Sequence, residues 1–350
     1  MGLKELQHWL VELPGFRRQF TSVVIDSVAA QFPMLTQESS RSSVSHDWQY
    51  LLLCASMLAG TSNERGQDAA LRIAQHCLTI DSTTVEQKDA AAVVLDALTN
   101  KPAIRLAEAR NLLRARFTDR LPLPLQQDYV KRALQYRVPL STDTVIETNR
   151  FQHEFWAMTE RSDWLSISAP TSAGKSYILK RWLEEHIRLV GPLNVVYIVP
   201  TRALIQEVEE DLREYFRDAR LRNVVVSSIP SEGMMRAGAS HVFVFTQERL
   251  HLFMSRVTAV FRSDILLIDE AQKIGDGHRG VLLQQVLDDA VEQNREVKVV
   301  FASPSTSNPE ALLVDAPVGR RREHLASEEI TVNQNLLWVS QVPRAPNSPW

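Results

Sequence analysis

The order of apolar and polar residues divides the chain into two patterns. Up to about residue 145, apolar residues recur at three- and four-residue intervals in QYLLLCASMLAG, DAALRIAQHCLTI, VEQKDAAAVVLDALT and RLAEARNLLRARF, broken by TSNERG, DSTT and NKP. That spacing predicts a set of short amphipathic helices, with no fixed-length repeat running through them. From about residue 146 the pattern changes to short, nearly continuous apolar runs at 165–168, 194–199, 223–228, 241–245, 264–268 and 297–302. Between them lie helical stripes, one of Ile178, Leu179, Trp182, Leu183 and Ile187 and another of Ala203, Leu204, Val208, Leu212 and Tyr215. Runs of Val, Ile and Leu without alternation suit strands buried on both faces of a mostly parallel sheet. The fold expected is therefore α/β with a preceding all-α region.

Prolines in LPLP at 121–124 and in VPLSTDT at 138–144 remove backbone donors and disfavour helix before them, so they mark a boundary. The division expected is a helical accessory domain at 1–145, an α/β domain at 146–316, and a charged linker at 317–350 that ends in a strand from Asn335 to Gln341.

Composition narrows the class. No stretch approaches the roughly 18 apolar residues of a membrane span, and the first dozen residues contain acids and no long apolar run. A cytoplasmic protein with no membrane partner is expected. Cys54 and Cys77 are too few for a disulfide framework and are expected to pack as small hydrophobes. The net charge of −3 argues against coating nucleic acid by bulk charge, so local distribution matters more. Between Lys101 and Leu140, nine basic residues stand against three acids. A solvated, salt-bridged helix face is the preferred reading there, and a phosphate-contacting surface around Arg110 and Arg114 the alternative.

The first strand of the second region runs into Ala169-Pro170-Thr171-Ser172-Ala173-Gly174-Lys175-Ser176, and a helical pattern follows at once. This fits the phosphate-loop pattern except that alanine replaces its first glycine. Loop amides and a helix N-terminus cradle phosphate oxygens, so Lys175 is expected on the outer phosphates of ATP and Ser176 on Mg²⁺. A chance Gly-Lys-Ser turn is the bland alternative, and the strand-loop-helix setting argues against it. The fifth strand ends in Asp269-Glu270, and a parallel sheet gathers such strand ends at one rim. There Asp269 is expected to hold Mg²⁺ and Glu270 to orient and deprotonate the attacking water.

Taken together, residues 150–315 resemble the first RecA-like lobe of superfamily 2 DEAD/DEAH-box helicases. Asp269-Glu-Ala-Gln272 is similar to the family's acidic box with glutamine last, and Phe151-Gln152 resembles its upstream adenine-reading glutamine. Thr201-Arg202 and Thr246-Gln-Glu-Arg249-Leu250 resemble segments that grip a nucleic-acid backbone. Ala302-Ser303-Pro304-Ser305 stands where the family usually has Ser-Ala-Thr, which implies that Gln272 relays a hydrogen bond toward Ser303 or Ser305. Downstream, Ile274-Gly275-Asp276 and Arg279-Gly280 look like Ski-type helicases, and APTSAGKS with SPSTSNP is similar to helicase subunits of bacterial antiphage systems of the Hachiman kind.

The resemblance implies a RecA-like phosphate-loop domain using ATP and Mg²⁺ on a DNA or RNA backbone. It also implies that a second lobe, with arginine fingers, completes hydrolysis, and that the helical region binds a protein partner. Arg320, Arg321 and Arg322 are expected to lie in a solvated hinge. The alternative is a nucleotide-gated interaction subunit of a bacterial defence complex with little ATP turnover.

Overall fold

The computed structural model describes residues 3–31, 46–61, 63–229, 237–256, 261–275, 277–304, 306, 308–329, 331–333 and 335. Twelve α-helices and nine strands run through them. The amino-terminal helices are α1 (Leu3–Glu12), α2 (Pro14–Gln31), α3 (Trp48–Ala59), α4 (Glu64–Thr79), α5 (Val85–Ala97), α6 (Lys101–Ala109) and α7 (Leu123–Gln135). Asp47, Asn63, Thr84 and Asn100 cap four of them, each side chain accepting a bond from a first-turn amide that would otherwise lack a partner. Their apolar stripes close on a core of their own, from Leu10 and Phe16 to Phe117 and Leu121. Cys54 and Cys77 are free and buried in it, as expected, and burial pushes the Cys77 thiol up to about 12.

A two-stranded antiparallel ribbon follows, β1 (Arg137–Pro139) with β2 (Val145–Glu147). The sequence division cuts through it at 145/146, yet Val138 and Leu140 of the first side pack with Ile146 into the core of the sheet that follows. Three-residue strands carry too little pattern to be read from sequence.

The second region contains α8 (Arg150–Arg161), β3 (Trp164–Ser168), α9 (Lys175–Val190), β4 (Asn194–Ile198), α10 (Arg202–Asp218), β5 (Val224–Ser227) and β6 (Ser240–Phe245). It continues with α11 (Gln247–Arg256), β7 (Ile265–Asp269), α12 (Gly277–Gln293), β8 (Lys298–Ser303) and β9 (Arg322–Ala326). Seven strands form one parallel sheet in the order β5-β6-β4-β7-β8-β3-β9. All six expected strands are present. Alternate residues feed two cores: Val195 and Tyr197 of β4 join α8, α9 and α10 on one face, while Val196 and Ile198 join α11 and α12 on the other. Burial on both faces is why these strands read as continuous apolar runs.

β9 departs from expectation. Residues 322–326 were placed in the linker, but they pair in parallel with β3 along its whole length. Only Leu325 of Arg-Glu-His-Leu-Ala is buried, so this edge strand shows no apolar pattern. The arginines at its start do not lie in a free hinge: Arg321 donates to Asp163 at 3.0 Å, Arg320 to the carbonyl of Glu296 at 2.9 Å and Arg322 to that of Leu313 at 3.3 Å. Of the carboxy-terminal strand expected from Asn335 to Gln341, all but Asn335 lies outside the described residues.

Four of the nine cations of the basic stretch are held in ion pairs. Lys101 and Arg132 both reach buried Asp96, at 2.5 and 2.6 Å, Arg120 reaches Asp89 at 2.6 Å, and Arg105 pairs with Glu147. Arg110 and Arg114 remain exposed. No described helix is long and apolar enough to cross a membrane.

Candidate nucleotide-binding site

The site stands on the carboxyl edge of the sheet. β8 lies between β3 and β7, with Ile167 and Asp269 both in register with Ala302. The loop that follows β3 and the acids that end β7 are therefore two strands apart, roughly 10 Å, across one rim.

Ala169 leaves β3 fully buried, its amide donating to the carbonyl of Ser303 at 3.3 Å. It is not among the residues with positive φ, so nothing in its backbone conformation demands the glycine that the motif usually has there. Pro170 follows at φ −54, and Thr171, Ser172 and Ala173 make a single 3₁₀ turn. Gly174 then takes φ 80, a left-handed conformation, and serves as N-cap of α9. A Cβ at Gly174 would come within 2.5 Å of Gln152 Nε2, so glycine is required both by conformation and by space. Lys175 opens α9, and exposed Ser176 stands in its first turn, where the unpaired amides point out of the helix.

Gln152 is held from two sides. Its Oε1 accepts from the Asn149 amide at 3.2 Å and its Nε2 donates to the Ala173 carbonyl at 3.2 Å. Asn149 accepts from the Gln152 amide at 2.8 Å and donates its own Nδ2 to Ala173 at 3.0 Å. This is a capping box whose two side chains also brace the phosphate loop. The sequence reading missed Asn149, although Asn-x-x-Gln before an apolar helix signals such a cap. Phe151, expected beside Gln152 at the base, is instead 1% exposed and part of the sheet's core. Successive helix residues point about 100° apart, so with Gln152 turned to the loop, Phe151 turns to the sheet.

Charge gathers between the loop and β7. Lys175 Nζ donates to the Ala169 carbonyl, and its pKa is lowered by burial, with Asp269 and Glu270 opposing that shift. Burial raises the Asp269 carboxyl, and Glu270 adds to the effect; the Glu270 amide, which donates to Asp269 at 2.9 Å, and Lys175 offset part of it. Tyr197, also missed, lies with its hydroxyl 3.5 Å from Asp269 and is driven well above its usual pKa by burial first and by that carboxylate second. Glu270 takes φ 54, and Gln272 Nε2 donates to its carboxylate at 2.7 Å while Lys273 stands 3.6 Å away. The hard oxygens of Ser176 and Asp269, beside the turn at Gly174 and the amino end of α9, fit Mg²⁺ with a phosphate chain.

Of the two expected relay partners of Gln272, Ser303 spends its hydroxyl elsewhere. Gln272 Oε1 is buried without a partner, while Ser303 is fully buried and donates to the carbonyl of Ile167 at 3.2 Å. Ser303 sits within the strand ladder, which turns it toward β3. Ser305 lies outside the described residues.

Thr201 and Thr246 precede α10 and α11, and the Arg249 amide lies 3.4 Å from Thr246 Oγ1. Arg249 donates its guanidinium to the Ser228 carbonyl at 2.7 Å, which ties α11 to the end of β5, whereas Arg202 is exposed. Thr331 was not anticipated either: its hydroxyl donates to the Ser172 carbonyl at 2.6 Å, and its carbonyl accepts from Asn100 at 2.9 Å.

Residues 149–312 match the DEAD/DEAH box helicase model. This helicase-like domain is 28% identical over 145 residues to the ATP-dependent DNA helicase Hel308 of Thermoplasma volcanium, covering 41% of this chain and 21% of that one. Putative helicase 7 of Sulfolobus islandicus filamentous virus is 25% identical over 182 residues, covering 49% of this chain and 29% of the relative. The chain thus spans less than a third of the length of these two curated relatives. The crystal structure of the DUF1998 helicase MrfA aligns with a TM-score of 0.42 at 15% identity, covering 52% of this chain and 30% of that one.

Proposed function

We propose that this chain carries the ATP-binding half of a nucleic-acid-dependent ATPase of helicase type, a DNA or RNA translocase. The observation that carries the reading is the placement of Lys175, Asp269 and Glu270 along one sheet edge, inside the segment that matches the helicase family. Hel308, a relative over this segment, is an ATP-dependent DNA helicase.

In this reading Lys175 and the amides of Thr171–Ser176 grip the β- and γ-phosphates of ATP, and Gln152 meets the base once released from the loop. Ser176 and Asp269 hold Mg²⁺, which when bound neutralises charge developing on the phosphate oxygens. Glu270, oriented by Gln272, accepts a proton from the attacking water. Arg202, with Thr201 before it, faces the nucleic-acid backbone, whereas Thr246 is buried and Arg249 is held by Ser228, so these two act by positioning α11; the helical region serves as the seat of a protein partner.

Hydrolysis also needs positive charge on the far side of the γ-phosphate, where an arginine finger is worth about 10³–10⁵ in rate. Arg320, Arg321 and Arg322 cannot supply it, because Asp163 and backbone carbonyls hold them at the amino end of β3, the end opposite the phosphate loop. A polypeptide of residues 1–350 is therefore expected to bind ATP, to hydrolyse it barely above background and not to unwind a duplex. Steady-state ATPase and unwinding assays test this, with Glu270→Gln as the inactive control. Robust Glu270-dependent unwinding by the purified monomer would overturn it.

A further inference from the structure

Away from the nucleotide site, three side chains converge inside the helical region. Asp26 lies on α2, His46 immediately precedes α3, and His76 lies in the last turn of α4. Each offers one ligand atom, and these atoms lie within 4.8 Å of one another. His46 Nε2 is 3.0 Å from Asp26 Oδ2, and Ser22 donates to the same oxygen at 3.5 Å.

One feature separates this cluster from an ordinary buried ion pair: His76 is only 7% exposed and its Nε2 is buried with no hydrogen-bond partner. A buried imidazole nitrogen left unpaired forfeits hydrogen bonds it would make in water, and such an atom calls for a ligand.

The geometry points to a binding site for one divalent transition-metal ion of the zinc class, held by Asp26, His46 and His76. Two imidazoles and a carboxylate are the donors such ions take, whereas Mg²⁺ and Ca²⁺ prefer all-oxygen sets. A tetrahedral ion with bonds of about 2.0–2.1 Å sets its donors roughly 3.3 Å apart. The His46–Asp26 edge is already that short, so closing the site requires a small inward shift of His76. His76 also lines a cavity of about 480 Å³, together with Arg72, Gln75 and Asn333. The ion would tie α2 and α4 to the segment entering α3.

Trp48 provides a reporter. Its ring centroid lies 5.1 Å from that of His46 and 5.8 Å from that of His76. Metal-stripped full chain titrated with Zn²⁺ in a calorimeter is expected to bind one equivalent and to gain thermal stability by mass action. Co²⁺ is expected to give visible bands of tetrahedral nitrogen and oxygen ligation and to quench Trp48. Asp26→Asn and His76→Ala should each weaken Zn²⁺ binding at least about 100-fold. Trp48→Phe should remove the quench and keep the binding. Should His76→Ala fail to fold, Asp26→Asn, altered at a side chain 26% exposed, decides the matter. Absence of saturable Zn²⁺ binding, or equal binding by the Asp26→Asn chain, would overturn the site. Neither outcome depends on whether the chain binds ATP.

Discussion

Gln152 Nε2 stands 2.5 Å from the point that a Cβ at Gly174 would occupy, so this glutamine and the glycine before α9 are fitted to one another. The same amide donates to Ala173, one residue earlier. The shape of the loop and the position of Gln152 are in this way one structural decision.

Gly174→Ala is expected to cost about 1–2 kcal/mol from its left-handed backbone, with the clash against Gln152 in addition. Gln152→Ala in the same chain should relieve the clash and not the backbone strain. A double-mutant cycle in thermal melts checks this, and additive effects of the two substitutions would contradict the fit.

Asp269→Asn is expected to raise the melting temperature of the nucleotide-free chain at neutral pH. Burial raises the Asp269 pKa above its unfolded value, so folding disfavours its ionised form. That penalty is absent below the ordinary carboxylate range and grows as pH rises through the folded pKa. The stabilising effect of the substitution should therefore vanish in acid. The same variant should lose Mg²⁺-dependent ATP binding, and a lower melting point at neutral pH would contradict the electrostatic account.

Asp96 neutralises two cations with a side chain that is fully buried. Asp96→Ala leaves Lys101 and Arg132 without it and should cost about 3 kcal/mol, since breaking a buried ionic cluster exceeds what a surface pair is worth. Urea denaturation measures it, and a loss below about 1 kcal/mol would mean that the basic stretch is free for other partners.

Arg202 opens α10 with its side chain exposed. If it contacts a phosphate, Arg202→Ala should weaken binding to single-stranded DNA or RNA across all sequences and reduce the salt slope by about one. Arg249→Ala should act differently, by loosening α11 from Ser228. An unchanged salt slope in Arg202→Ala would remove it from the interface.

The central strands and the phosphate loop were legible because burial on both faces and phosphate binding each leave a dense local pattern. Where a role is set by distant partners, sequence was silent. β9 is polar and becomes a strand only because β3 offers it an edge. Phe151 and Gln152 are adjacent in sequence yet face a core and a loop, a difference that helix geometry makes and a motif does not record. Ser303 occupies the expected place but spends its hydroxyl on Ile167. Asp26, His46 and His76 come from three separate segments, so no spacing rule unites them.

The central claim is that Lys175 grips the phosphates of ATP. Calorimetric titration of Mg²⁺-ATP into the chain and into Lys175→Ala tests it most directly, with circular dichroism confirming equal folding. Loss of a charge-assisted contact worth about 1.5–3 kcal/mol predicts binding roughly 10–100-fold weaker in the variant. Equal affinity in a folded Lys175→Ala chain would contradict the account.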